Sequence, residues 1–578
     1  MIKKLAKYMK GLWGFALISA SGMIIEAICE LAMPSLASAI YEDVKAGTAT
    51  NGSIFKMGAF MLVLAVIGLC GGLGTMKTSA IASQRFAFRL RNDVYGKISK
   101  FSFKNIDEFS TASLTTRMTN DITMLQNVVM MGLRILVRGP ALLVVSAVFA
   151  IRINPRMSTI LLAMLPIIII VVFVALKFGF PMFQKMQKKV DNVNRVVQEN
   201  LIGIRVVKAF VREEHEKKKF HNVSNDLASQ GAKASGMIVT VMPVMMLMFN
   251  AVVVFVYYKG AYSAYNGTMD VSQISIFASY ITQILMNLMM ISMMFLMLAR
   301  GKACGDRVVE VLDTEIDITN GENPYIPQSP KGKVEFRNVS FRYSADTHGD
   351  NILENISFTA EAGQKIGIVG GTGSGKSSLV NLIPRLYDAS AGQVLVDDID
   401  VKEYDLTALR DMIGVVLQKN VLFSGTIKEN IRWGKNDASD EEIIAACKAA
   451  QADDFITAQP DGYDTNLAQG GLNLSGGQKQ RLCIARAMIK KPKFLILDDS
   501  TSAVDTDTEA KIRNSFNTSL SDTTVFIIAQ RISSVKNADK ILVIDDGEIK
   551  GIGNHEELME NNEIYQEIYN TQQKGVIE

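Results

Sequence analysis

Lys365-Ile366-Gly367-Ile368-Val369-Gly370-Gly371-Thr372-Gly373-Ser374-Gly375-Lys376-Ser377-Ser378 is the stretch on which the reading of this chain turns. Its first five residues form a short apolar run of strand length, and a helical pattern opens at Ser378. Between them stands GxxxxGK[ST] in the strand–loop–helix setting that the motif requires. Gly370, Gly371, Gly373 and Gly375, with Thr372 and Ser374 among them, let backbone N–H groups close around phosphate oxygens, helped by the helix N-terminus. Lys376 is placed to reach the β- and γ-phosphates, and the Ser377 hydroxyl to coordinate Mg²⁺. Farther along, the apolar run Phe494-Leu495-Ile496-Leu497 ends in Asp498, suited to hold the same Mg²⁺ at the carboxyl edge of a sheet. The C-terminal part is therefore expected to be an α/β P-loop NTPase domain.

Upstream of Leu312-Asp313 the composition is different. Of the 30 methionines, all but Met412, Met488 and Met559 lie before residue 320. The whole chain of 578 residues is 48% hydrophobic and only 21% charged, with a mean hydropathy of +0.18, unusual for a wholly soluble protein. Disorder, collagen and disulfide scaffolds are excluded. A net charge of +3 gives no overall field for nucleic acid. Cys29, Cys70, Cys304, Cys447 and Cys483 have no paired spacing and read as reduced or lipid-buried thiols, not as a metal site or staple.

Six stretches, near 12–36, 55–80, 128–151, 158–180, 236–258 and 271–299, approach the length of about 20 apolar residues that crosses a bilayer. The first is too long for a cleaved signal peptide. Basic residues collect before the first span (Lys3, Lys4, Lys7, Lys10), between the second and third, and between the fourth and fifth. That bias puts both termini in the cytoplasm. The two basic connections run to about fifty residues each, more chain than a compact domain leaves structureless. They read as helices continuing below the membrane, through Asn120–Met131 and Asp191–Phe220, with short bends able to dock on a soluble partner.

Charges within the spans follow helical spacing. Glu26 and Glu30 share a face of the first span, and Arg134 and Arg138 a face of the third. Counted from Glu42 and Arg152, Glu30 and Arg138 lie roughly 18 and 21 Å below the outer surface. Pairing between them is the structural reading; contact with a transported molecule is the functional one. Met286, Met290, Met293 and Met297 form a stripe on the sixth span, with Met242, Met245, Met246 and Met248 on the fifth. Methionine usually fills core or faces lipid, yet this concentration suits an adaptable apolar cavity.

Leu474-Ser475-Gly476-Gly477-Gln478, between the phosphate loop and Asp498, resembles the signature of ATP-binding cassette (ABC) proteins. The resemblance extends over the whole chain: six spans ahead of one cassette look like a half-transporter of the ABC exporter class. It implies that Tyr343 stacks on adenine and that Gln418 senses Mg²⁺ and the membrane domain. Ser502-Ala503-Val504-Asp505 looks like the D-loop, and Gln198–Phe210 is similar to the second intracellular loop. The family's importers keep membrane and ATPase subunits on separate chains, so fusion disfavours import. ATP is sandwiched in the family between one cassette's phosphate loop and the other's signature, which implies a second half-transporter as partner.

Two positions depart from the family pattern. A glutamate usually follows Asp498 and polarises the attacking water; this chain has Asp499. The strand Val525-Phe526-Ile527-Ile528-Ala529 should lead to a histidine and leads to Gln530. Aspartate falls about an ångström short, enough to cost on the order of 10²-fold in rate. Glutamine carries neither the charge nor the proton of an imidazole. Gln469, where exporters often have glutamate, is a weaker departure. The signature is intact. This asymmetry is similar to one member of a heterodimeric exporter, holding ATP at a degenerate site while its signature completes the partner's competent site.

The expected organisation is therefore a transmembrane domain over 1–315, a linker over 316–332 and a cassette over 333–578. ATP and Mg²⁺ are the expected cofactors. A second half-transporter, a small lipophilic substrate and the plasma-membrane bilayer are the expected partners. A dedicated peptide or lipid exporter, a homodimer and an ATP-gated channel are the alternatives. No protease domain precedes the first span, which disfavours the peptide processor.

Overall fold

The computed structural model describes residues 2–267, 269–343, 351–499 and 505–577, and leaves some side chains within its long helices undescribed. Two compact units result. One comprises Met1–Ser99 and Ala112–Asp313; the other comprises Lys100–Thr111 and Thr314–Glu578.

The first unit is helical. Among the described residues six long helices run over Trp13–Lys45, Asn51–Ile98, Ile122–Ile153, Pro155–Ile202, Glu213–Tyr265 and Val271–Asp313. The second and fourth have 48 residues each and the fifth 53. At about 1.5 Å per residue they reach roughly 70–80 Å, more than twice a hydrocarbon core. Asn154 makes a sharp corner: its side chain accepts from the backbone N–H of Arg156 and Met157, and Pro155 opens the next helix. Three helical segments, Trp13–Lys45, Asn51–Ile98 and Thr111–Arg152, are long and apolar enough among the described residues to cross a membrane.

The basic connections are largely helical. Asn120–Met131 belongs to a π-helical turn over Arg117–Asp121 and the helix that follows it. Asp191–Phe220 is not one continuous helix: it breaks at Gly203, forms the short helix Ile204–Ala209, and turns at Val211, whose φ is +52°.

Within the bundle, Arg138 donates to Glu26 Oε1 at 3.0 Å and to Glu30 Oε2 at 2.9 Å. Gln283 adds a bond to Glu30 Oε1 at 3.2 Å. The guanidinium is thus shared by two carboxylates one helical turn apart, the spacing that put them on one face. Arg134 takes no part in this triad. Tyr280, fully buried, donates its hydroxyl to the Leu31 carbonyl at 2.9 Å and packs beside Leu142, Val256 and Phe277.

In the second unit a six-stranded sheet runs in the order Glu548–Gly553, Lys540–Asp545, Lys365–Val369, Thr524–Ile528, Phe494–Asp498, Ile413–Val416. All neighbours are parallel except the first pair. Its central strands are apolar on both faces, as a covered parallel sheet needs. A four-stranded antiparallel sheet, in the order Leu353–Ala360, Val334–Phe341, Ala391–Val396 and Ile399–Asp400, packs over it, with Phe336, Phe358, Ile368 and Leu379 in the shared core. A second core gathers Ile431, Cys447, Leu482 and Leu495 around the helix Gly476–Met488. All five cysteines are free.

Candidate functional site

Three adjacent strands of the parallel sheet end at one place. Lys365–Val369 runs into the phosphate loop, Thr524–Ile528 into Ala529-Gln530, and Phe494–Asp498 into Asp499. Carboxyl ends of parallel strands are where such sheets assemble ligand sites.

The loop is shaped by what it lacks. A Cβ at Gly370 would sit 2.0 Å from the Ile544 carbonyl oxygen, and Gly375 has a left-handed φ of +93° at the start of the helix Lys376–Asn381. Gly371, Thr372, Gly373 and Ser374 complete the turn. Lys376 folds its ammonium back onto the carbonyl of Gly370 at 3.0 Å and onto Ser374 Oγ at 3.2 Å. Burial pushes this lysine below its usual range, against the pull of Asp498 and Asp499. An ammonium held among carbonyls in the cradle is a cation ready for an anion.

Asp498, 7% exposed, is raised above the ordinary carboxylate range by burial, with the hydrogen bond from Ser377 acting in the opposite direction. The hydroxyl of Ser377 and the carboxylate of Asp498 form a hard oxygen pair of the kind Mg²⁺ takes. Asp499 is likewise raised by burial, opposed by hydrogen bonds from Gln418 and Gln530. Gln530 Nε2 donates to Asp499 Oδ2 at 2.7 Å. The Asp499 backbone has φ +47°, and its carbonyl accepts from Gln480 Nε2 at 3.3 Å. The structure thus brings Asp499, Gln530 and Gln418 together beside Asp498 and Ser377. Gln418 and Gln530 donate to the Asp499 carboxylate as neutral amides, which orient it without exchanging a proton.

Tyr343 shares a hydrogen bond of 2.8 Å with Ser378 Oγ, and its ring stands edge-on to Phe341 and Tyr387 with centroids at 4.9 and 5.0 Å. Tyr343 is 40% exposed. Sequence reasoning missed Tyr387 and its partner Asp107, whose Oδ2 accepts from the Tyr387 hydroxyl at 2.8 Å. The signal available was the acidic pair Asp107-Glu108 inside a basic connection.

The signature residues stand at a helix start. Ser475 caps Gly476–Met488 in a capping box with Gln478, while Leu474 is buried and anchors the turn. Ser475 and Gly476 remain exposed at this helix start and Gly477 is half-buried. Asp505 caps the helix Thr506–Ser519, accepting from the Thr508 N–H at 2.9 Å. Ser502 lies outside the described residues.

In the helical unit Glu26, Glu30 and Arg138 border a cavity of about 370 Å³ whose apolar wall includes Leu64, Leu69 and Met76. Met286 and Met290 are exposed, at 63% and 40%, and Met297 is half-buried. The Met293 side chain lies outside the described residues, as do those of Met242 and Met245.

Residues 17–289 match the family described as ABC transporter transmembrane region, and 353–502 the family described as ABC transporter. The uncharacterized ABC transporter ATP-binding protein YfiB of Bacillus subtilis (strain 168) is 39% identical, over 97% of this chain and 96% of its own. The fatty acid ABC transporter ATP-binding/permease protein of Mycobacterium bovis is 34% identical, over 83% of this chain and 76% of its own. A solved bacterial Atm1-family ABC exporter with ATP bound superposes with a TM-score of 0.79 at 25% identity, covering 98% of both chains.

Proposed function

Since this chain belongs to the ABC transporter family, with transmembrane region and ATP-binding domain on one polypeptide, we propose that it powers export of lipophilic or amphipathic compounds as one half of a heterodimeric exporter. In this reading the helical unit crosses the plasma membrane six times, with both termini and the cassette in the cytoplasm, and residues 316–332 link the two domains. Tyr343 stacks on the base, Gly370–Ser378 wraps the phosphates, and Ser377, Asp498 and Gln418 hold Mg²⁺. Bound Mg²⁺ supplies charge neutralisation at the β- and γ-phosphates. Ser475–Gln478 faces an ATP held by the partner.

The observation that carries this reading is the Asp499–Gln530 pair, set against an intact and well-capped signature. A water lined up by Asp499 would find its carboxylate short by a methylene and already engaged by an amide. Hydrolysis on this chain's own phosphate loop is then slow, and turnover belongs to the site that Ser475 and Gly476 complete. A homodimer would carry the slow chemistry twice, which suits a pump poorly.

Apolar or amphipathic substrate class is supported by the methionines near Met286–Met297 and by the named substrate of the M. bovis relative, a fatty acid. The test is ATPase activity of the purified chain alone and with its copurifying half-transporter, in lipid. The heterodimer reading expects the single chain to be at least tenfold slower (about 1.4 kcal/mol in barrier); equal rates would refute it. Uptake of labelled drug, lipid and peptide into inside-out vesicles then separates the substrate classes, and ATPase without any uptake would mark a channel or regulator.

A further inference from the structure

Residues 100–111 follow the second long helix in sequence yet pack with the cassette as part of its compact unit. The short helix Phe103–Phe109 in that segment is firmly built. Ser102 caps it in a capping box with Asn105, the rings of Phe101 and Phe109 stack at 5.9 Å, and Asn105 Nδ2 donates to the Glu315 carbonyl at 3.3 Å. From it a continuous side-chain path leads to the phosphate loop. Asp107 accepts the Tyr387 hydroxyl at 2.8 Å, and Phe103 lies against the Tyr387 ring at 6.0 Å. The Tyr387 ring meets Tyr343 edge-on at 5.0 Å, and the Tyr343 hydroxyl bonds to Ser378, which follows the Ser377 of the loop.

A phenylalanine at 387 would fill the same space against Phe341 and Tyr343. The hydroxyl is explained only by Asp107, which belongs to the connection between the second and third long helices. That bond runs from a neutral donor to a carboxylate, the stronger class of hydrogen bond, and fixes the ring that in turn backs Tyr343.

We infer that Tyr387 is a positioning residue for the nucleotide base: anchored by Asp107, it holds the Tyr343 ring in its stacking orientation, so that seating of the helix Phe103–Phe109 on the cassette sets ATP affinity. The inference rests on the reading of Tyr343 as the base-stacking residue. Transmission in the reverse direction follows from linkage: ATP on Tyr343 favours the seated helix by the same factor.

The experiment photolabels the full-length 63.4 kDa chain, assembled with its partner in lipid, using 8-azido-ATP over a concentration series, and measures steady-state ATPase in parallel. Tyr387→Phe keeps the ring, and Asp107→Ala deletes only the acceptor of an exposed helical residue, so both fold. Each is expected to weaken labelling of this chain about tenfold, the loss of one charge-assisted bond. Maximal ATPase at saturating ATP should stay at the parent value. The double variant should be no weaker than either single one, because both remove the same bond. Parent-like affinity in both singles, or a double variant equal to the product of the two losses, overturns the inference. Tyr343→Leu separates the layers: if it labels like the parent, the stacking reading itself has failed. If it alone loses labelling, stacking stands and the role of Tyr387 falls.

Discussion

The side-chain amide of Gln530 donates to Oδ2 of Asp499 at 2.7 Å, joining the ends of two neighbouring parallel strands whose last pair in register is Ile528 with Asp498. An amide in this position holds the carboxylate still and can neither charge nor release a proton, whereas an imidazole could do both. The consequences for turnover, stability and pH response can each be measured.

Changing Ser475 or Gly476 should reduce ATPase of the assembled transporter more than changing Asp499. Ser475→Ala removes a capping box worth about 1 kcal/mol and alters the exposed face proposed above to meet the partner's nucleotide, and is expected to lower turnover by more than tenfold (about 1.4 kcal/mol). Asp499→Asn should change it by less than about threefold, under 0.7 kcal/mol. Equal losses would mean two equivalent sites.

The phosphate loop, Asp498 and the signature were legible because each is a contiguous run with a fixed local geometry. Asp499 and Gln530 were legible as departures, but their bond was not, since it depends on which strands are neighbours. Helical faces and depth permit pairing of Glu26 and Glu30 with Arg134 or Arg138 as one of two readings; that Arg138 makes the bonds is not legible, because the two arginines share a face and differ only by one turn along the helix. Tyr387 and Asp107 lie far apart in the sequence with no shared pattern, and only the packing of residues 100–111 with the cassette joins them.

Arg138→Met leaves two carboxylates without their shared cation inside the bundle. The three side chains are 24% to 38% exposed, so solvent screening lowers the expected loss to about 2 kcal/mol, below that of a fully buried pair. The triple change Glu26→Gln, Glu30→Gln, Arg138→Met should recover most of it, because no charge remains uncompensated. Thermal unfolding in a mild detergent reads both. A triple variant as unstable as Arg138→Met would place the cost in packing instead of charge.

Burial holds Asp498 and Asp499 above the ordinary carboxylate range. A carboxyl raised in the folded state contributes stability that is fully present below its unfolded value of about 3.9 and is lost as pH rises through the raised value. The nucleotide-free chain should therefore lose some stability as pH climbs above about 4 through the raised values, and Asp498→Asn should flatten that slope. Affinity for Mg²⁺ runs the other way, since a cation needs the ionised form. It should fall on acidification from a higher pH than an unperturbed aspartate would give. Slopes of the same sign for stability and Mg²⁺ affinity would contradict this.

Met286, Met290, Met293 and Met297 changed together to leucine keep volume and should leave folding and basal ATPase close to the parent, within about 1.5 kcal/mol per swap at most. Substrate preference in vesicle uptake should shift. An unchanged profile would assign these side chains to packing.

Whether this chain's own phosphate loop retains ATP because of Asp499 and Gln530 is decided by counting nucleotide. The transporter, with its partner, is loaded with radiolabelled ATP and Mg²⁺, passed through a desalting column, and the ATP and ADP retained per complex are measured for the parent and for Asp499→Glu with Gln530→His. The parent is expected to hold one unhydrolysed ATP, and the double variant to show a shorter retention with label leaving as ADP, together with weaker coupling of ATPase to transport. A double variant that keeps as much unhydrolysed ATP as the parent would contradict it.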